Sequence, residues 1–170
     1  MDIQEILSEK NIQLNSDANT KEQVLKVMAD MLFQSGKVEN ADIFLHDVWE
    51  REKMGFTGAG NKIAIPHGIS AQVKKVAISI VRTKRDIFWE SEREIIPKEA
   101  KQVRFIVLFA VPQEPPKDGE IKYLESLKAV CRKLADNQAT EELLKAQEAV
   151  QIIEILNNDK KKHTEGEKNG

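Results

Sequence analysis

Apolar residues recur at helical spacing in the first third of the chain. Val24, Leu25, Met28, Met31 and Leu32 predict a helix over 20–34. It opens on Thr20-Lys21-Glu22-Gln23, a capping box whose Thr and Gln side chains each satisfy an orphan backbone N–H, and Gly36 predicts its end. Phe44, Leu45, Val48 and Trp49 predict a second helix from Asn40 to near Gly55, with Arg51 in its last turns. The glycine content of Phe56-Thr57-Gly58-Ala59-Gly60-Asn61 predicts a loop, and Lys62-Ile63-Ala64-Ile65 a short strand that Pro66 terminates. His67 is therefore expected just beyond a strand end.

The pattern then changes period. Residues 76–83 and 103–111 are rich in β-branched and apolar side chains and predict two strands, the second a nearly continuous run covered on both faces. The heavily charged stretch 84–101 reads as an extended surface connection with room for a short edge strand. Residues 119–135 predict an amphipathic helix on the stripe Leu124, Leu127, Cys131 and Leu134, and residues 140–156 one long or two short helices. Helix and strand blocks in this order imply an α/β single-domain layered sandwich over 1–156, with a central mixed β-sheet flanked by helices on both faces. Residues 157–170 contain no apolar side chain to offset ordering entropy and predict a disordered polar tail.

Charge narrows the functional classes. Twenty-six basic against 28 acidic residues leave a net charge of −2 with no block able to track a nucleic-acid backbone, so nucleic acid is excluded as a partner. No run is long enough to span a bilayer, and the start lacks a signal-peptide pattern, so no membrane insertion is expected and the location is read as cytoplasmic. A lone cysteine makes no internal disulfide, and its place on the stripe predicts a small buried hydrophobe, not a nucleophile. Of the three histidines, His46 shares a polar helix face with Asp42 and Glu50, and His163 falls in the tail; both read as solvated. No metal and no organic cofactor is called for.

His67 differs from both because a stiff residue precedes it and a residue without a side chain follows it, which aims the ring and leaves it accessible. Histidine is the side chain whose ordinary pKa leaves a nitrogen unprotonated near neutral pH, as nucleophilic attack on phosphorus requires. Gly58 and Gly60 are candidate phosphate-loop positions, where backbone N–H groups approach an anion, with Thr57 and Asn61 as side-chain donors. Arg51 offers planar, permanent donors to a phosphoryl group. Singly these signals are weak: a Gly-x-Gly pair is usually a turn, and an Arg-Glu pair a solvated ion-pair former.

Order and spacing carry more weight. The segment from Arg51-Glu52 through Thr57-Gly58-Ala59-Gly60 to Ile63-Ala64-Ile65-Pro66-His67-Gly68 resembles the signature of the mannitol/fructose-type enzyme IIA family of the bacterial phosphoenolpyruvate-dependent sugar phosphotransferase system. The resemblance extends from Thr20 to the terminal helices near Leu156. It implies a phosphotransferase in which His67 takes a phosphoryl group from the phosphohistidine of the carrier HPr and passes it to a cysteine of an enzyme IIB, with Arg51 helping to hold the group. The family usually has a second active-site histidine at the start of the helix after the Val-Pro element, and Tyr123 aligns there. A phenol donates a hydrogen bond but carries no positive charge, which implies weaker stabilisation of the phosphoryl group. The chain reads as one IIA domain without fused IIB or membrane domains. The resemblance then implies service to a sugar permease or, alternatively, a regulatory protein in which the phosphorylation state of His67 controls binding to another protein.

Overall fold

The structure is a computed structural model that describes residues 3–91, 95–114 and 121–158, without the side chains of 121–123. Six strands form one mixed sheet: β1 (Ile12–Ser16), β2 (Gly58–Gly60), β3 (Ile63–Ala64), β4 (His67–Ser70), β5 (Ala77–Phe88) and β6 (Gln102–Pro112). Their order is β1-β5-β6-β3-β2, with β4 also alongside β6. β5 and β6 pair antiparallel at the centre, β1 runs parallel to β5, β3 and β4 run parallel to β6, and β2 pairs antiparallel with β3.

Helices α1 (Lys21–Gln34) and α2 (Ala41–Glu52) cover one face; α3 (Ile121–Leu134), α4 (Asn137–Lys145) and α5 (Ala149–Asn157) cover the other. Alternation along β6 feeds both cores. Ile106 and Leu108 pack with Leu25, Met28, Phe44 and Val48, whereas Phe105, Val107 and Phe109 pack with Leu127, Val130, Leu143 and Ile152. The α/β layered architecture expected from the sequence is therefore present, with residues 140–156 resolved into two helices.

The helix starts follow the predicted chemistry. Thr20 accepts from the Gln23 amide at 3.1 Å and Asn40 from the Ile43 amide at 2.9 Å. The reciprocal bond from Gln23 goes one residue further out, to the Asn19 amide at 2.9 Å. Gly36 ends α1 with φ at +76°, a conformation glycine adopts without a Cβ penalty. Thr20→Ala is expected to lower stability by about 1 kcal/mol, measurable as a shifted urea midpoint at constant slope.

Several local expectations are corrected. β1 was not foreseen: it has only five residues, Asn15 adopts a left-handed φ of +59°, and its strand character comes from pairing with β5. Residues 58–60 form a strand of a hairpin, not a loop. The connection 84–101 begins as a continuation of β5 to Phe88, and Trp89 beyond it is fully buried. The buried stripe of α3 runs through Leu127, Val130 and Leu134, so Leu124 and Cys131 are exposed. Val130 takes the inward position that the sequence pattern allotted to Cys131. Asn157 closes α5, and its side-chain oxygen accepts from the Ile3 amide at 3.1 Å; the rest of the tail from 159 lies outside the described residues. Among the described residues no helix is long and apolar enough to cross a membrane.

Candidate functional site

β3 and β4 are two halves of one strand. Both keep a single register against β6, with Ile63 opposite Phe105 and His67 opposite Phe109. Pro66 has no N–H for the ladder, which breaks the pairing locally, and its carbonyl resumes it by accepting from the Phe109 amide at 3.0 Å. His67 is thus the first residue of β4 and not a residue beyond a strand end. Among the described residues β4 has no strand on its outer side, because β2 pairs only with β3.

Alternation then sets the direction of each side chain. Gly68 and Ser70 face α2: Ser70 Oγ donates to Asp47 Oδ2 at 2.6 Å, and a Cβ on Gly68 would lie 2.4 Å from the Phe44 ring and 2.8 Å from Val48 Cγ2. His67 points to the opposite face, where its half-buried ring meets Phe109 edge to face with centroids 5.2 Å apart. Nδ1 is buried with no partner in hydrogen-bond geometry.

The absence of a side chain at Gly68 lets α2 lie directly on β4. That seating brings Arg51, three residues past Val48 and half-buried, close enough for its charge to act on the imidazole. Burial of the ring, and secondarily the Arg51 charge, hold the His67 pKa below its ordinary 6.5, while the Ile65 carbonyl and Glu52 pull it upward. The ring is therefore neutral at pH 7. Because the folded state holds the proton less tightly than the unfolded one, the contribution of this group to stability is complete above pH 6.5 and falls as pH drops below it. A urea series across that range is expected to show this decline in the wild type. Arg51→Ala is expected to move the His67 midpoint upward, read directly by NMR titration of the ring.

The turn of the glycine hairpin, at Gly60, Asn61 and Lys62 with φ of +80°, +52° and +65°, lies at the far end of β3: Gly60 pairs with Ile63, four residues before His67 and on the order of 13 Å along the strand, while Gly58 pairs with Ala64, three residues before it. Asn61 donates to Asn137 Oδ1 at 2.9 Å, at the start of α4. Gly60 serves the turn, and Gly58 leaves room for the Phe56 ring, which a Cβ would meet at 2.2 Å. The Thr57 hydroxyl is also committed elsewhere, donating to Glu52 Oε1 at 2.7 Å and accepting from Trp89 Nε1 at 2.8 Å. Tyr123 falls in the first turn of α3, and its side chain lies outside the described ones. His46 is exposed near Glu50, 3.9 Å away. Among the described residues no three His, Cys, Asp or Glu side chains converge as metal ligands would.

Glu52, Lys21 and Trp89 were not read as part of this region. Glu52 belongs to the Arg-Glu pair of the motif and Lys21 to the capping box, but burial, which the sequence does not display, is what gives them weight.

The molecule is thus an α/β domain with a half-buried histidine on an outer strand, its pKa lowered by burial and by the charge of a helix-borne arginine. Residues 5–159 match the family described as "Phosphoenolpyruvate-dependent sugar phosphotransferase system, EIIA 2", and the chain belongs to it. It is 30% identical over 146 residues to the PTS system fructose-like EIIA component of Escherichia coli K12, covering 86% of this chain and 91% of that one. It is 28% identical over 155 residues to Multiphosphoryl transfer protein 1 of the same organism, covering 91% of this chain but only 17% of that longer protein. Among solved structures, the nitrogen regulatory protein IIA-Ntr of Neisseria meningitidis superposes with a TM-score of 0.76 at 25% identity, covering 91% of this chain and 98% of that one.

Proposed function

We propose that this chain is a phosphocarrier enzyme IIA in which His67 accepts a phosphoryl group from phospho-HPr and passes it to a cysteine of an enzyme IIB. The observation that carries the proposal is the setting of His67: a half-buried ring whose pKa burial and the Arg51 charge hold below its ordinary value, with Nδ1 buried, which leaves Nε2 as the nitrogen for attack. The Nε2 lone pair attacks phosphorus in line with the bond to the donor histidine. The new N–P bond forms as the old one breaks, and the donor nitrogen leaves with its electron pair. Arg51 supplies positive charge to the phosphoryl oxygens as charge redistributes over them. The second step mirrors the first, with a cysteine thiolate as nucleophile and Nε2 as leaving group. Both partners are met on the cytoplasmic side of the membrane.

Incubation with phosphoenolpyruvate, enzyme I and HPr is expected to place an acid-labile label on His67. An unlabelled chain beside a labelled control IIA would overturn the proposal. A second reading, a regulatory protein whose His67 phosphorylation governs binding to another protein, is favoured by the likeness to the nitrogen regulatory IIA-Ntr. Transfer from the phosphorylated chain to an enzyme IIB cysteine at rates matching sugar uptake argues for the first reading, and its absence for the second.

A further inference from the structure

Glu52 stands where a charge is costly. Its side chain is 3% exposed and that of its partner Lys21 8%, with Lys21 Nζ 2.6 Å from Oε2. The approach is too bent for a hydrogen bond, so the pairing is one of charge. Burying two ions this way stabilises a fold no more than well-packed apolar side chains would, which directs attention to what the pair holds in place. Lys21 is locked on three sides: it donates to the Glu90 carbonyl at 2.7 Å and its ammonium lies over the rings of Trp89 and Trp49, at 4.9 and 5.6 Å.

Two routes lead from this clamp to the site. Glu52 Oε1 holds the Thr57 hydroxyl; the Thr57 carbonyl accepts from the Ile65 amide at 2.8 Å; and Ile65 lies two residues before His67 on the same continuous register against β6, so that fixing its amide fixes the backbone that carries the ring. The other route is covalent, since Glu52 follows Arg51 in the last turn of α2. Fixing the first fixes the backbone of the second.

We propose that Glu52 is a positioning residue for phosphoryl transfer: clamped by Lys21, it holds Thr57 and through it Ile65, which aims the His67 ring, and anchors the helix turn that carries Arg51. This rests on His67 as the phosphoryl acceptor. Glu52 touches no reacting atom. The charged and polar groups bearing on the ring are Arg51 and Glu52 from α2 and the Ile65 carbonyl from its own strand.

Three variants test it. Thr57→Val removes the hydroxyl and keeps the branched shape; Thr57→Ser keeps the hydroxyl; Lys21→Met with Glu52→Gln removes both charges together and leaves neither unpaired. Each is assayed for the rate of phosphoryl acceptance from phospho-HPr and, unphosphorylated, for the His67 tautomer and titration midpoint by nitrogen NMR. Thr57→Val and the double variant are expected to slow acceptance by about 10- to 100-fold and to shift the ring signals, with Thr57→Ser within about threefold of wild type. Wild-type rates with unchanged ring signals overturn the proposal, and so do shifted signals with unchanged rates. A wild-type chain that accepts no phosphoryl group ends the phosphocarrier assignment and this proposal's role in transfer with it, while the ring signals alone still decide whether Thr57 and Glu52 position His67.

Discussion

A chain carrying His67→Gln is expected to fold and to accept phosphoryl groups from phospho-HPr at a rate lower by a factor on the order of 10⁴ or more. Glutamine fills comparable space and carries an amide in the region of Nε2, but its nitrogen lone pair is delocalised and does not attack phosphorus. The effect on stability is small because two changes oppose each other. Losing the edge-to-face contact with Phe109 costs about 1 kcal/mol, while removing Nδ1, buried without a well-formed hydrogen bond, relieves a desolvated polar atom. Radiolabelling and urea unfolding on one preparation separate the two effects. The variant is also expected to lack the decline in stability below pH 6.5 that burial of the imidazole gives the wild type. Retained label in the variant would show that another residue accepts the group.

Gly68→Ala is expected to damage both stability and transfer through one steric cause. The added methyl would lie 2.4 and 2.6 Å from two atoms of the Phe44 ring and 2.8 Å from Val48 Cγ2, and all three belong to α2. Overpacking of this kind costs about 1–3 kcal/mol. The ring and the valine are fully buried, so relief comes from lifting the helix, which carries Arg51 away from His67. Acceptance is expected to fall by about 10- to 100-fold, as displaced charge-stabilising groups do. Phe44→Leu combined with Gly68→Ala is expected to recover part of both losses. Wild-type transfer in the single variant would mean that Arg51 does not depend on the seating of α2.

The layered α/β fold was legible because its long elements are strongly periodic and its helix starts carry side-chain caps. Thr20 and Asn40 announce their helices by chemistry confined to four residues, and β6 by an apolar run that only a doubly covered strand requires. His67 and Arg51 were legible as a pair because both belong to one contiguous motif. The packing roles of the glycines were not legible. Glycine marks a backbone that must bend or a neighbour that must come close, and the sequence does not say which neighbour: at Gly58 it is a phenylalanine ring, and at Gly68 it is a helix. Thr57 looked like an available donor because nothing local reveals that Glu52 and Trp89 already occupy its hydroxyl. Trp89, in a stretch dominated by charge, was hidden by its company. Cys131 was misplaced by a rotation of roughly one residue about the α3 axis, an error that a 3.6-residue period invites when Leu and Cys alternate with Val.

The open flank of β4 has a consequence for the behaviour of the protein in a crowded solution. A histidine that meets two partners in turn needs an unobstructed approach, and an unobstructed strand edge is also where chains begin to join one another into aggregates. β4 is only four residues long, which leaves little edge for another chain to pair with. The shortness of the segment that carries the imidazole thus also limits the surface open to copies of the same chain.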